Sequence, residues 1–116
     1  MDKRKSIRIP VYRPVKIQTP SGNLFHGYVI DLSLSGLAIE FSAPAELGTL
    51  LDLRFKIQAG NISEEISLKG SVVHSRTRGK NYIIGVHILN LSEDTKTSIA
   101  RYIYHVSEIR KRGEVE

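Results

Sequence analysis

Leu51-Asp52-Leu53-Arg54-Phe55-Lys56-Ile57-Gln58 alternates apolar with polar residues without a break. Successive side chains of a β-strand point to opposite faces, so this stretch has one face for a core and one for water. A helix would scatter the same residues around its circumference. The stretch is a strand. Downstream, Ala59-Gly60-Asn61 is turn chemistry, and Glu65 to Ser75 returns with Ile66, Leu68 and Val72 on one face. Gly70 marks either a bulge or a barrel corner. Arg76 to Lys80 reads as another turn, followed by a strand over Tyr82 to Leu89 that is apolar on both faces apart from His87.

A strand apolar on both faces needs a cover, and the expected cover is a C-terminal helix. Ser92 suits an N-cap, Glu93 and Asp94 fall in the first turn, and Arg110, Lys111 and Arg112 stand where the helix dipole favours cations. Ile99, Tyr102, Ile103, Val106 and Ile109 recur at three- and four-residue steps, which makes one apolar stripe.

Upstream, Leu37, Ile39 and Phe41 share a strand face, Leu24 to Ile30 forms the strand before it, and Pro20-Ser21-Gly22-Asn23 is a hairpin turn. Val15-Lys16-Ile17-Gln18 alternates again. Residues 1–10 show no sustained period, and Pro10 and Pro14 disfavour helix before them. Six short strands suggest a closed barrel, because closure removes the edges that invite aggregation. The expected fold is mainly β: a six-stranded antiparallel β-barrel with a C-terminal α-helix and a flexible basic N-terminal arm. The expected divisions are arm 1–10, barrel 11–91 and helix 92–112, one domain in all.

A length of 116 residues suits one modest core. With 41% hydrophobic and 25% charged residues, the composition is that of a soluble globular protein. No apolar run approaches the roughly 20 residues of a membrane span, and the N-terminus does not resemble a secretory signal, so a cytoplasmic location without membrane insertion is expected. The absence of cysteine excludes disulfides, thiolate nucleophiles and Cys-based zinc sites. His26, His74, His87 and His105 are scattered with no acidic cluster beside them, which argues against metal binding. His87 reads as a satisfied barrel histidine, and Tyr82, Tyr102 and Tyr104 read as packing residues. With no nucleophile elbow and no glycine-rich phosphate loop, neither an enzyme nor a cofactor is expected.

Net charge is +5, and it is unevenly placed: Lys3, Arg4, Lys5, Arg8, Arg13 and Lys16 face a single acid, Asp2, in the first stretch of chain. An anion is the natural partner of this stretch, although a basic arm seen alone is better read as a solvated tail. The second concentration of chemistry is Asp31-Leu32-Ser33-Leu34-Ser35-Gly36, which joins two strands that a two-residue turn would serve. Taken alone, it also fits an ordinary Asx turn.

Arg4-x-x-x-Arg8 followed by Asp31-x-Ser33-x-x-Gly36 resembles the two-part signature of the PilZ family, whose members bind the bacterial second messenger cyclic di-GMP. The resemblance continues through the Pro44 to Gly48 loop, the strand from Leu51 and Tyr82-Ile83-Ile84-Gly85-Val86. It implies a six-stranded barrel with a helix, and a ligand site made by Arg4, Arg8, Asp31, Ser33 and Gly36, with Lys3 and Ser35 as secondary contacts. The chemistry agrees. Guanidinium matches both phosphodiester oxygens and the guanine O6/N7 edge, and its plane stacks on bases. Asp31 accepts from guanine N–H groups, Ser33 and Ser35 bond phosphate or base edges, and Gly36 permits a close backbone approach or a positive φ. One messenger molecule or an intercalated pair both suit the motif.

The function implied is a receptor that changes conformation on binding and acts on a protein partner in motility, pilus, biofilm or polysaccharide output. A rival reading is a single-stranded nucleic-acid-binding barrel, suggested by a pI near 9.6 and tyrosines on a small barrel, with nucleic acid ranked below the messenger. A further rival is a PilZ-like interaction adaptor that does not bind the messenger.

Overall fold

The computed structural model describes residues 7–115 and contains six strands, β1 (Ile9–Gln18), β2 (Leu24–Leu32), β3 (Gly36–Phe41), β4 (Leu50–Ala59), β5 (Ile62–Arg78) and β6 (Asn81–Leu89), followed by helix α1 (Glu93–Val115). All pairings are antiparallel and the sheet closes in the order β1-β2-β3-β6-β5-β4. The expected barrel is therefore the observed one. β1 starts at Ile9, inside the stretch expected as arm, because Ile9 is buried and opposes Leu32.

The alternation of β4 becomes burial: Leu51, Leu53, Phe55 and Ile57 point into the core, with Asp52, Arg54, Lys56 and Gln58 exposed. Val15, Ile17, Val29, Leu37, Ile39, Leu68, Ile84 and Val86 complete the interior. β5 is longer than the sequence period suggests. Its first part pairs with β4, its last part with β6, and Lys69 to Ser71 with both, so one strand serves two barrel walls. The ladder slips between Val72 and His74, which bends β5 around the corner. Arg76 to Arg78, expected as turn, continue the β5 ladder and leave only Gly79 and Lys80 to reverse the chain, with Gly79 at φ 61°.

Ser92 caps α1 as expected: its Oγ accepts from Thr95 N–H at 3.2 Å, the carbonyl accepts from Lys96 N–H at 2.8 Å, and Oγ donates to Thr95 Oγ1 at 3.0 Å. Ile99, Tyr102 and Ile103 are buried in the barrel's own core cluster, with Val106 packed against it. Ile109 and Tyr104, expected as packing residues, are exposed, since the stripe rotates away from the barrel. The expected basic end, Arg110 to Arg112, lies outside the residues whose side chains are described. The helix does not cover β6. It rests mainly on β4, with lesser contacts to β1 and β5, and the β4–β5 turn is tied to it by Gly60 N–H donating to His105 Nε2 at 3.1 Å. No helix among the described residues is long and apolar enough to cross a membrane.

Candidate functional site

β1 and β2 bring the two halves of the motif together. Ile9 opposes Leu32 and Pro10 opposes Asp31, so Arg8, one residue before the strand, arrives beside the Asp31 carboxylate. Arg8 Nη1 donates to Asp31 Oδ1 in a close ion pair. Both side chains keep access to water, so the pair orients the guanidinium more than it stabilises the fold. Asp31 thus binds across strands, where an Asx turn would have had it bond its own backbone.

Ser33 makes the local turn instead. It is fully buried, and its Oγ accepts from Ser35 N–H at 3.2 Å and Gly36 N–H at 3.1 Å while donating to Gly36 O at 3.1 Å. The backbone adds Ser33 N–H to Gly36 O at 2.8 Å. With its hydrogen-bonding capacity spent on the turn, Ser33 shapes the loop that links β2 to β3. Ser35 is exposed, its Oγ is 3.3 Å from Ser33 Oγ, and its carbonyl accepts from Ile88 N–H at 2.9 Å.

Of the two reasons for glycine at 36, close approach is the one realised. Gly36 is absent from the positive-φ glycines, and a Cβ there would stand 2.7 Å from Val86 O and 3.9 Å from Arg8 Nη2. β3 and β6 therefore pack tightly just where Arg8 crosses them. Lys3 and Arg4 lie outside the described residues.

Arg8 and Asp31 open onto a cleft of about 280 Å³ over β2, β3, β5 and β6, floored by Ala38, Ile83 and Gly85 and walled by His74 and Arg76. This explains β6: the outer-face Ile83 is buried in the cleft floor, away from the helix. His87, expected as a satisfied barrel histidine, is exposed on the outer face, opposite Gly36 and Ser71. His74, expected only as one of the scattered histidines, and Arg76, expected as part of a solvated turn, both line this cleft. The His74 ring lies over Gly85, whose absent Cβ would fall 2.2 Å from His74 Nε2, so the glycine is the seat of the imidazole. A histidine and an arginine two apart on a strand, opposite a glycine in the next strand, were the available signal, but strand register was needed to read it. Larger clefts of about 780 and 570 Å³ lie elsewhere, so chemistry rather than size singles out this one.

The arrangement offers hydrogen-bond donors and positive charge suited to an anion. Arg8 has five N–H donors in a fixed fork, of which Asp31 engages one arm, and Arg76 adds a second guanidinium across the cleft. At 280 Å³ the cleft sits near the low end for ligand pockets, so a dinucleotide would fill it and extend along the surface.

The family model described as "PilZ domain" matches residues 2–105. Among solved structures, the inhibitor of motility MotI/DgrA of Bacillus subtilis superposes with a TM-score of 0.83 at 14% identity, covering 97% of this chain and 54% of that one. The PilZ domain of YcgR from Escherichia coli, solved with c-di-GMP, gives a TM-score of 0.74 at 17% identity, with 97% and 98% covered. The PilZ domain of CeSA from a cellulose-synthesizing bacterium gives 0.63 at 25% identity, with 88% and 99% covered. The chain thus spans about half of MotI/DgrA and nearly all of the two isolated domains. No curated protein sequence matches it.

Proposed function

The chain belongs to the PilZ domain family, and from that premise we propose that it is a receptor for cyclic di-GMP that performs no chemistry on its ligand. The observation that carries the reading is the Arg8–Asp31 ion pair held beside Gly36 at the rim of the cleft. The YcgR domain with c-di-GMP shares the fold, which supports the ligand class.

In this reading Arg8, together with Arg4, grips the phosphodiesters or the guanine O6/N7 edge. Asp31 keeps lone pairs that accept from the guanine N1–H and amino N–H. Ser33 acts by holding the turn, Gly36 by keeping Arg8 close to the β3–β6 ladder, and Lys3 and Ser35 lie at the margin. Binding draws the basic N-terminal stretch onto the barrel and so changes the surface offered to a cytoplasmic protein partner. Motility, pilus, biofilm and polysaccharide systems are where that partner is sought.

Isothermal titration with cyclic di-GMP, with GTP and cyclic di-AMP as controls, tests the assignment. Selective saturable binding is expected, and the molar ratio separates one ligand from an intercalated pair. Absence of heat and of competition at high ligand concentration would overturn it.

A further inference from the structure

In the closed order of six strands, β1 and β4 stand three strands away from β6 and β3 respectively, so the face centred on them is opposite the messenger cleft. Register places Lys16 directly between His26 of β2 and Arg54 of β4, all three exposed on the outer surface. Adjacent strands are only about 4.8 Å apart, and like charges directly opposite each other are unfavourable. Lys16 and Arg54 are such a pair. Among the described residues Lys16, Arg54 and Lys56 form no ion pair, and Asp52, the nearest carboxylate along β4, is held by Lys69 at 2.9 Å. Glu65 stands opposite Lys56 in the ladder. Two open clefts, of about 780 and 570 Å³, meet at Lys16 and Arg54, and between them carry five permanent cations against two carboxylates.

A second observation is independent of charge. Tyr12 and Tyr28 stack with ring centroids 4.5 Å apart and planes 8° from parallel, yet they are 65% and 41% exposed. Tyr28 lines the smaller cleft together with Lys16, Arg54 and Lys56. The pair buries little in the core and offers one flat π-face to solvent beside Lys16 and Arg54, which form no ion pair among the described residues. An acidic peptide would use the cations and leave the rings idle, and a duplex would hide its base faces. A single strand uses both, because each nucleotide brings one phosphate and one stackable base.

We propose that the outer face of β1, β2 and β4 binds single-stranded nucleic acid, with phosphates on Lys16, Arg54 and Lys56 and a base continuing the stack on Tyr12. This site shares no lining residue with the Arg8–Asp31 cleft and stands independently of messenger binding.

The test is fluorescence anisotropy of a fluorescein-labelled oligothymidylate of about 15 nucleotides, a length matched to one small barrel. Three phosphate contacts on a single strand give a log–log salt slope of about −2. In Lys16→Gln/Arg54→Gln the slope shrinks to about −0.7 and affinity falls at least ~tenfold. Tyr12→Ala loses about fivefold or more with the slope unchanged, because stacking releases no counterions. Lys96→Gln, on the helix, binds as the parent does. All three variants alter only exposed side chains, and unchanged urea midpoints verify their folds.

Absence of oligothymidylate binding at about 50 mM salt would overturn the proposal, since single-strand affinity is greatest when salt is low. So would an equal loss in Lys96→Gln, or full affinity in Tyr12→Ala. Displacement by saturating cyclic di-GMP would move the oligonucleotide to the other cleft. A glutamate-rich peptide that binds this face while the oligonucleotide does not would assign it to acidic proteins instead.

Discussion

Arg8 and Asp31 are 23 positions apart and form an ion pair because β1 and β2 run antiparallel in a register that sets Ile9 against Leu32 and Pro10 against Asp31. The register does more than join two motifs. It fixes a guanidinium, otherwise one of the most mobile side chains, at the edge of a cleft whose opposite wall carries Arg76. Preorganisation of this kind lowers the ordering cost of binding a dianionic ligand.

Arg8→Ala is therefore expected to weaken cyclic di-GMP binding about tenfold or more, since a charge-assisted hydrogen bond contributes about 1.5–3 kcal/mol. Arg8→Lys keeps the charge and loses the fork, so it should fall between the two. The same loss is expected for Arg4→Ala. Titration calorimetry checks all three, and unchanged affinity in both alanine variants would remove the motif from the binding site.

Asp31 has two duties that one pair of ligands can separate. If its carboxylate reads guanine N–H groups, Asp31→Ala loses more affinity for cyclic di-GMP than for cyclic di-AMP. Equal losses for the two would mean that Asp31 acts only by orienting Arg8.

Much of this was legible in the sequence because strands declare themselves by alternation. β4 shows it without a fault, and its inward and outward residues follow the pattern throughout its described side chains. The motif residues were legible as a group for the same reason: they sit at strand ends, where a polar cluster interrupts the period. What the sequence hid is set by pairing between distant strands. His74 over Gly85, the β5 slip after Val72 and the row of His26, Lys16 and Arg54 all depend on register. The apolar outer face of β6 calls for a cover without naming it, and the helix expected there rests mainly on β4. Ile83 on that face is buried and lines the Arg8–Asp31 cleft together with His74 and Arg76 of β5.

Ser33 yields a stability prediction. Its hydroxyl satisfies the N–H groups of Ser35 and Gly36 from a fully buried position. Ser33→Ala takes the acceptor from the buried Gly36 N–H and is expected to destabilise the fold by about 1–3 kcal/mol, read as a lower urea midpoint with unchanged m-value. Messenger affinity should fall as well, through a loosened turn. A variant as stable as the parent would show that the turn is held by Ser33 N–H to Gly36 O alone.

Two glycines of the site fail differently when given a methyl group. At Gly36 the new Cβ meets a backbone atom, Val86 O at 2.7 Å, and neither β3 nor β6 can yield without parting their ladder. Gly36→Ala is expected to cost about 1–3 kcal/mol in urea unfolding, the usual range for forced overpacking. At Gly85 the nearest atoms to the Cβ all belong to the imidazole of His74, an exposed side chain that can swing outward. Gly85→Ala should therefore leave the urea midpoint nearly unchanged while cyclic di-GMP affinity drops, because both the methyl and the displaced ring intrude on the cleft. Equal destabilisation by the two variants would mean that the His74 ring is locked into the barrel wall. Full affinity in a stable Gly85→Ala would place the ligand away from the cleft floor.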